Sequence, residues 1–279
     1  MSTNVNTPQN DDELRRVSAL LNLLQDDDEC VASLAMEQLL KLGDLANQTI
    51  AQHQEAQDPK LRHRIHQLSS ILARRRARQD FLEAVHGEAI TLWDGVLQTN
   101  LLYDLQCRTG WIEEQVDRLA DQLGPGTITT PRVAALMKDQ EFTVPEEDTL
   151  DVDLYLVERV LETKYGSPAV LCALAQHIGE KANWCSTIVL YDGRFCLIDR
   201  NQLLLDPTED WHIAKLEAAD KIHACARKNV WLGILTQMFL VCLVEGHLRD
   251  LYHFGDLLTA LNNSSLDDLP YPLGKAGLL

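Results

Sequence analysis

Residues 156–207 read LVERVLETKYGSPAVLCALAQHIGEKANWCSTIVLYDGRFCLIDRNQLLLDP, and the reading of this stretch decides the fold. Its first part closes a helix that turns at Gly166. A second helix then starts with Ser167 as N-cap and Pro168 at the first helical position, where a missing N–H costs nothing. Every residue from Pro168 to Ala175 is apolar, which predicts a helix buried on all sides. Asp192-Gly193 between two apolar runs predicts a tight hairpin. The order is therefore buried helix, strand, strand, and an extended segment ending at Asp206-Pro207.

Helix, strand, strand in that order resembles the core of the transglutaminase-like superfamily. The nearer resemblance is to bacterial SirB-type proteins, carried by Val160-Leu161-Glu162, Gly166-Ser167-Pro168, Gly193-Arg194-Phe195 and Asp206-Pro207. It extends upstream through Leu92 to Pro145 and covers roughly half the chain. The resemblance implies an α+β, predominantly helical fold: a transglutaminase-like (papain-like) core with a small antiparallel sheet, flanked by N- and C-terminal helical repeat-like units. It also implies a Cys at the start of the central helix, with a His and an Asp on neighbouring strands. Here the first slot holds Pro168, or Val170 if the register slips by two, and the second holds Arg194. Only Asp206 fits. An arginine stays protonated and cannot act as a general base near neutral pH, and a thiol mechanism needs nucleophile and base in hydrogen-bond reach. The expectation is a catalytically inactive domain used for binding, with Pro168, Arg194 and Asp206 as vestigial positions. Arg194 and Asp206 should lie within ion-pair distance.

The other reading is a cysteine-dependent amide hydrolase or acyltransferase that has moved its nucleophile to Cys172 and recruited His177 or His212. Cys172 lies inside the apolar run, where a cysteine is most often an inert small hydrophobe. His177 is five residues further on, which puts it on a different side of the helix.

The chain has 279 residues, 46% hydrophobic and 24% charged, with a formal charge of −17. That balance disfavours nucleic acid or an anionic membrane as the main partner, and leaves another protein as the expected one. No run reaches the ~18 apolar residues of a membrane span and no signal-peptide pattern opens the chain, so a cytoplasmic location is expected. The seven cysteines show no C-x-x-C spacing, which favours reduced thiols over a disulfide framework and calls for no metal. No cofactor is implied. A two-residue turn would set Cys196 opposite Val189, with Cys185 at the far end of the hairpin.

Outward from the centre, residues 1–10 read as a polar tail and residues 11–80 as leucine-rich helices. Leu14, Val17, Leu20, Leu21 and Leu24 form one apolar face. Asp26-Asp27-Asp28 interrupts, a second run follows from Val31 to Gly43, and a third covers Leu61 to Leu72. The pattern resembles HEAT-type repeats, which stack into surfaces for partner proteins; a plain helical bundle is the alternative. Arg74, Arg75 and Arg76 form a basic run that could bind an acidic ligand, or could serve only as favourable charge near a helix C-terminus. Residues 81–225 form the core region. It is helical to Leu123, broken at Gly124-Pro125-Gly126, with a short helix opened by Pro131 and an acidic loop at Thr143–Asp148. Trp211, His212 and Leu216 lead into a further helix. Residues 226–279 hold two helices that turn at Glu245-Gly246-His247, similar to a degenerate tetratricopeptide unit.

Overall fold

The computed structural model describes residues 8–87, 90–146, 149–217, 221–270 and 273–274. The chain divides into two compact units, Met1–Gln79 and Asp80–Leu279.

The first unit contains α1 (Pro8–Leu23), α2 (Glu29–Leu42), α3 (Asp44–Gln52) and most of α4 (Pro59–His86), as far as Gln79. Helix α1 begins inside the stretch read as a tail; residues 1–7 lie outside the described residues. Val17, Leu21, Leu24, Leu39, Ile65 and Leu68 belong to one buried cluster. The acidic turn has a structural role. Asp28 caps α2 by accepting from the Cys30 N–H at 2.8 Å, and Asp27 pairs with Lys60 at 2.6 Å. Arg64, only 7% exposed, donates to the carbonyls of Leu24 (2.5 Å) and Asp26 (2.9 Å), groups that the end of α1 leaves without helical partners. Helix α3 is not expected from the sequence. Gly43, at φ 55°, ends α2 and starts α3 within one residue, so two helices meet where the periodicity shows only a stop.

The second unit is built on α9 (Pro168–Lys181). Ser167 accepts from the Val170 N–H and Pro168 occupies the first turn. Ala169 to Ala175, Ile178 and Gly179 are all buried. Around α9 pack α5 (Leu92–Tyr103), α6 (Thr109–Gln122), α7 (Thr130–Asp139) and α10 (Arg227–Glu245). Helix α8 (Val157–Thr163) precedes α9, and α11 (Leu248–Asn262) forms a hairpin with α10. Gly246, at φ 73°, caps α10 in the left-handed conformation. Of the acidic loop, Glu147 and Asp148 lie outside the described residues.

Against α9 lies a five-stranded antiparallel sheet in the order β4-β3-β2-β1-β5: β1 (Ser186–Tyr191), β2 (Arg194–Asp199), β3 (Leu203–Asp206), β4 (His212–Lys215) and β5 (Ile222–Ala224). Asp192 (φ 47°) and Gly193 (φ 77°) both have positive φ, the type I′ geometry that matches strand twist, and Val189 faces Cys196 as expected. The predominantly helical α+β class holds, with 64% helix. One local expectation fails: the segment from Trp211 is β4 and β5, not a helix. Trp211 is held by its indole N–H, which donates to the Phe142 carbonyl at 2.6 Å, and the chain leaves it to pair Asp206–Leu203 with His212–Lys215.

Contrary to the absence of a membrane-length run expected above, α10 is long and apolar enough to cross a membrane by length and composition. Val230, Trp231, Ile234, Leu235, Met238 and Phe239 are buried within the protein, and α10 packs on α5, α9 and α11.

Candidate functional site

The start of β2 and the end of β3 place Arg194 and Asp206 side by side. Register puts Ile198 opposite Leu204, so by the two-residue alternation of strands Arg194, Cys196, Leu204 and Asp206 share one face. Arg194 Nη1 lies 3.3 Å from Asp206 Oδ2 and 2.8 Å from Glu209 Oε1, and donates to Thr208 Oγ1 at 3.1 Å. Asp206 is 4% exposed. Its other oxygen accepts from the Thr208 N–H (2.8 Å) and hydroxyl (2.6 Å), capping the short 3-10 helix Pro207–Glu209. The buried carboxylate is thus fully engaged, which is the condition for its burial. The hydrogen bond that Arg194 donates to Glu209, with the Asp206 charge behind it, outweighs burial and raises the Arg194 pKa further.

Cys196 belongs to the same cluster. Burial, and then the negative charge of the Asp206 carboxylate, push its thiol up to about 12. The sequence gives a signal for this, since Cys196 is two residues from Arg194 on a strand, but its scattered position among seven cysteines hides it. Thr208 and Glu209, immediately after Asp206-Pro207, carry no motif that would mark them as members of this cluster.

Cys172 is 0% exposed, with Sγ 3.4 Å from the Phe195 carbonyl oxygen it donates to. Burial raises its pKa well above the ordinary thiol value, which disfavours the thiolate that a nucleophile requires. His177 is turned elsewhere: its ring stacks on Trp93 with centroids 4.4 Å apart and an interplanar angle of 11°. Burial and then the Lys181 charge lower its pKa, against the smaller opposing pull of Glu113, Asp94 and Asp117. His212 is exposed on β4, directly across from Asp206. Arg194 and Asp206 are brought together; Cys172 and His177 are not. Pro168 sits at the start of α9 without any group able to act as a nucleophile.

The basic run lies on α4. Arg75 Nη1 donates to the Leu40 carbonyl at 3.2 Å, near the end of α2; Arg74 is half-buried and Arg76 exposed. Among the described residues no group of three or more His, Cys, Asp or Glu side chains could hold a metal ion.

Comparison with known families adds one finding. Residues 111–230 match the transglutaminase-like superfamily, a span that begins in α6, ends in α10 and includes α9 and all five strands. The resemblance read upstream from Leu92 is thus matched from Trp111 onward. Neither a curated protein nor a solved structure gives a significant match. The chain carries a transglutaminase-like core.

Proposed function

We propose that this is a non-catalytic protein-interaction or regulatory protein built on a degenerate transglutaminase-like core of the SirB type. Its flanking helices serve as repeat-like units, HEAT-like before the core and tetratricopeptide-like in α10 and α11. The observation that carries this reading is the occupation of the base position by Arg194, whose guanidinium is held by Glu209, Asp206 and Thr208. A guanidinium cannot take a proton from a thiol at neutral pH, and the carboxylate that would orient a histidine is instead spent on Arg194 and on a helix cap. The buried thiol of Cys172 supports the same reading. A charge of −17 favours a protein partner over nucleic acid or an anionic membrane. Seven free thiols fit a reducing compartment such as the cytoplasm.

The test is a transamidation and hydrolysis assay of the full chain. A glutamine peptide with a primary amine, and simple amide and ester substrates, should give no turnover above that of Cys172→Ala. Turnover that disappears with Cys172→Ala, in a variant that keeps its melting transition, would overturn the proposal.

A further inference from the structure

Away from the former active site, a cavity of about 420 Å³ opens between α9, the first turn of α5, β1 and the first turn of α10. Small-molecule sites fall in the range of about 300–1,000 Å³ and are mostly apolar with a few placed polar groups. Leu92, Ala173, Ile188 and Val230 supply apolar lining. The Trp93 and His177 rings, both lining the cavity, stack nearly parallel. The indole N–H donates to Glu113 at 2.6 Å, so this aromatic wall is fixed before anything binds.

The charges are sparse and specific. Among the described residues lining the cavity, Arg227 is the cation and Glu180 the carboxylate. Arg227 uses Nη1 on the Ile90 carbonyl at 2.7 Å, which fixes the guanidinium in place; the planar group carries five N–H donors in all.

We infer that this cavity binds a small planar monoanion, an aromatic carboxylate whose ring lies against the Trp93–His177 wall and whose carboxylate meets Arg227. A phosphate dianion is disfavoured because Glu180 lines the same space. Burial holds His177 toward its neutral form, so it does not supply a second cation at neutral pH. This inference is independent of whether the core retains catalysis, since neither Arg194 nor Asp206 lines the cavity.

Calorimetric titration of the full chain with 2-naphthoate, its neutral amide and inorganic phosphate tests it. The carboxylate should bind saturably, the amide about tenfold more weakly for want of the charge-assisted bond, and phosphate should not compete. Arg227→Gln should weaken 2-naphthoate by a similar factor. Thr187→Trp, at an exposed rim position, should abolish binding. A readout on the unaltered chain guards against a misfolded variant: 2-naphthoate should slow alkylation of Cys225, which lines the cavity, and leave that of Cys185, exposed and outside this cavity's lining, unchanged. Absence of saturable binding, equal affinity for acid and amide, or binding without protection of Cys225 would overturn the inference.

Discussion

Asp206 is the residue on which the cluster at the start of β2 and the end of β3 turns. It is nearly inaccessible, and its charge is satisfied by Arg194 and by the N–H and hydroxyl of Thr208. Removing Arg194 leaves a buried carboxylate with its Thr208 bonds but no counter-charge. A fully buried broken pair costs ~3–5 kcal/mol; the Arg194 side chain is 36% exposed, so Arg194→Met should cost about 2 kcal/mol, nearer the worth of one charged hydrogen bond. Chemical denaturation of Arg194→Met, Asp206→Asn and the double variant should give a double-mutant coupling of about 1 kcal/mol. Strict additivity would mean that the two side chains do not support one another.

His177 yields a second expectation at this scale. Its folded pKa lies below the ordinary value of 6.5 because of burial and Lys181. As pH falls below about 6.5, the unfolded chain takes up a proton that the folded one resists. The stability contributed by the neutral ring is therefore present above that pH and lost as pH falls through the folded pKa. His177→Phe keeps a flat ring against Trp93 and removes the titration. Thermal melts at pH 7.5 and pH 5 should show a smaller decrease for this variant than for the parent chain; an equal decrease would place the dependence on other groups.

At the scale of elements, the contact between α5 and α10 is set by Gly95. A Cβ added there would stand 2.3 Å from Cε2 of Trp231, and the Trp231 ring is anchored by its N–H on the Leu92 carbonyl at 3.1 Å. Alanine favours a helix over glycine by about 1 kcal/mol, but overpacking a fixed ring costs about 1–3 kcal/mol. With the ring unable to step aside, Gly95→Ala should be destabilising by about 1–2 kcal/mol in urea unfolding, the reverse of what propensity alone predicts. Elements with their own local signal were legible in the sequence: the Ser167-Pro168 helix start, the Asp192-Gly193 turn, and the Glu245-Gly246-His247 turn. The β4 and β5 strands were not. Each has only three or four residues, too few to display an alternation, and each exists because β3 or β1 offers it a partner. The turn into β4 passes through Asp210 and Trp211 at positive φ without a glycine, held by the bond to Phe142 rather than by turn residues. The Arg194–Asp206 pairing was legible through the resemblance, whereas Cys196 required the strand register.

For the whole molecule, the transglutaminase-like match and the helical first unit fall in different parts of the chain. The core supplies a helix and a sheet, and its site holds one arginine, Arg194, paired with Asp206 and Glu209, beside a sulfur, that of Cys172, buried in α9. The most direct measurement is native-state alkylation of the full chain, followed cysteine by cysteine by mass spectrometry. Cys30 and Cys185 are exposed, whereas Cys172, Cys196 and Cys242 are buried. The account predicts that Cys30 and Cys185 react first and that Cys172 and Cys196 stay unmodified until denaturant unfolds the core. Rapid stoichiometric modification of Cys172, ahead of the exposed thiols, would contradict it.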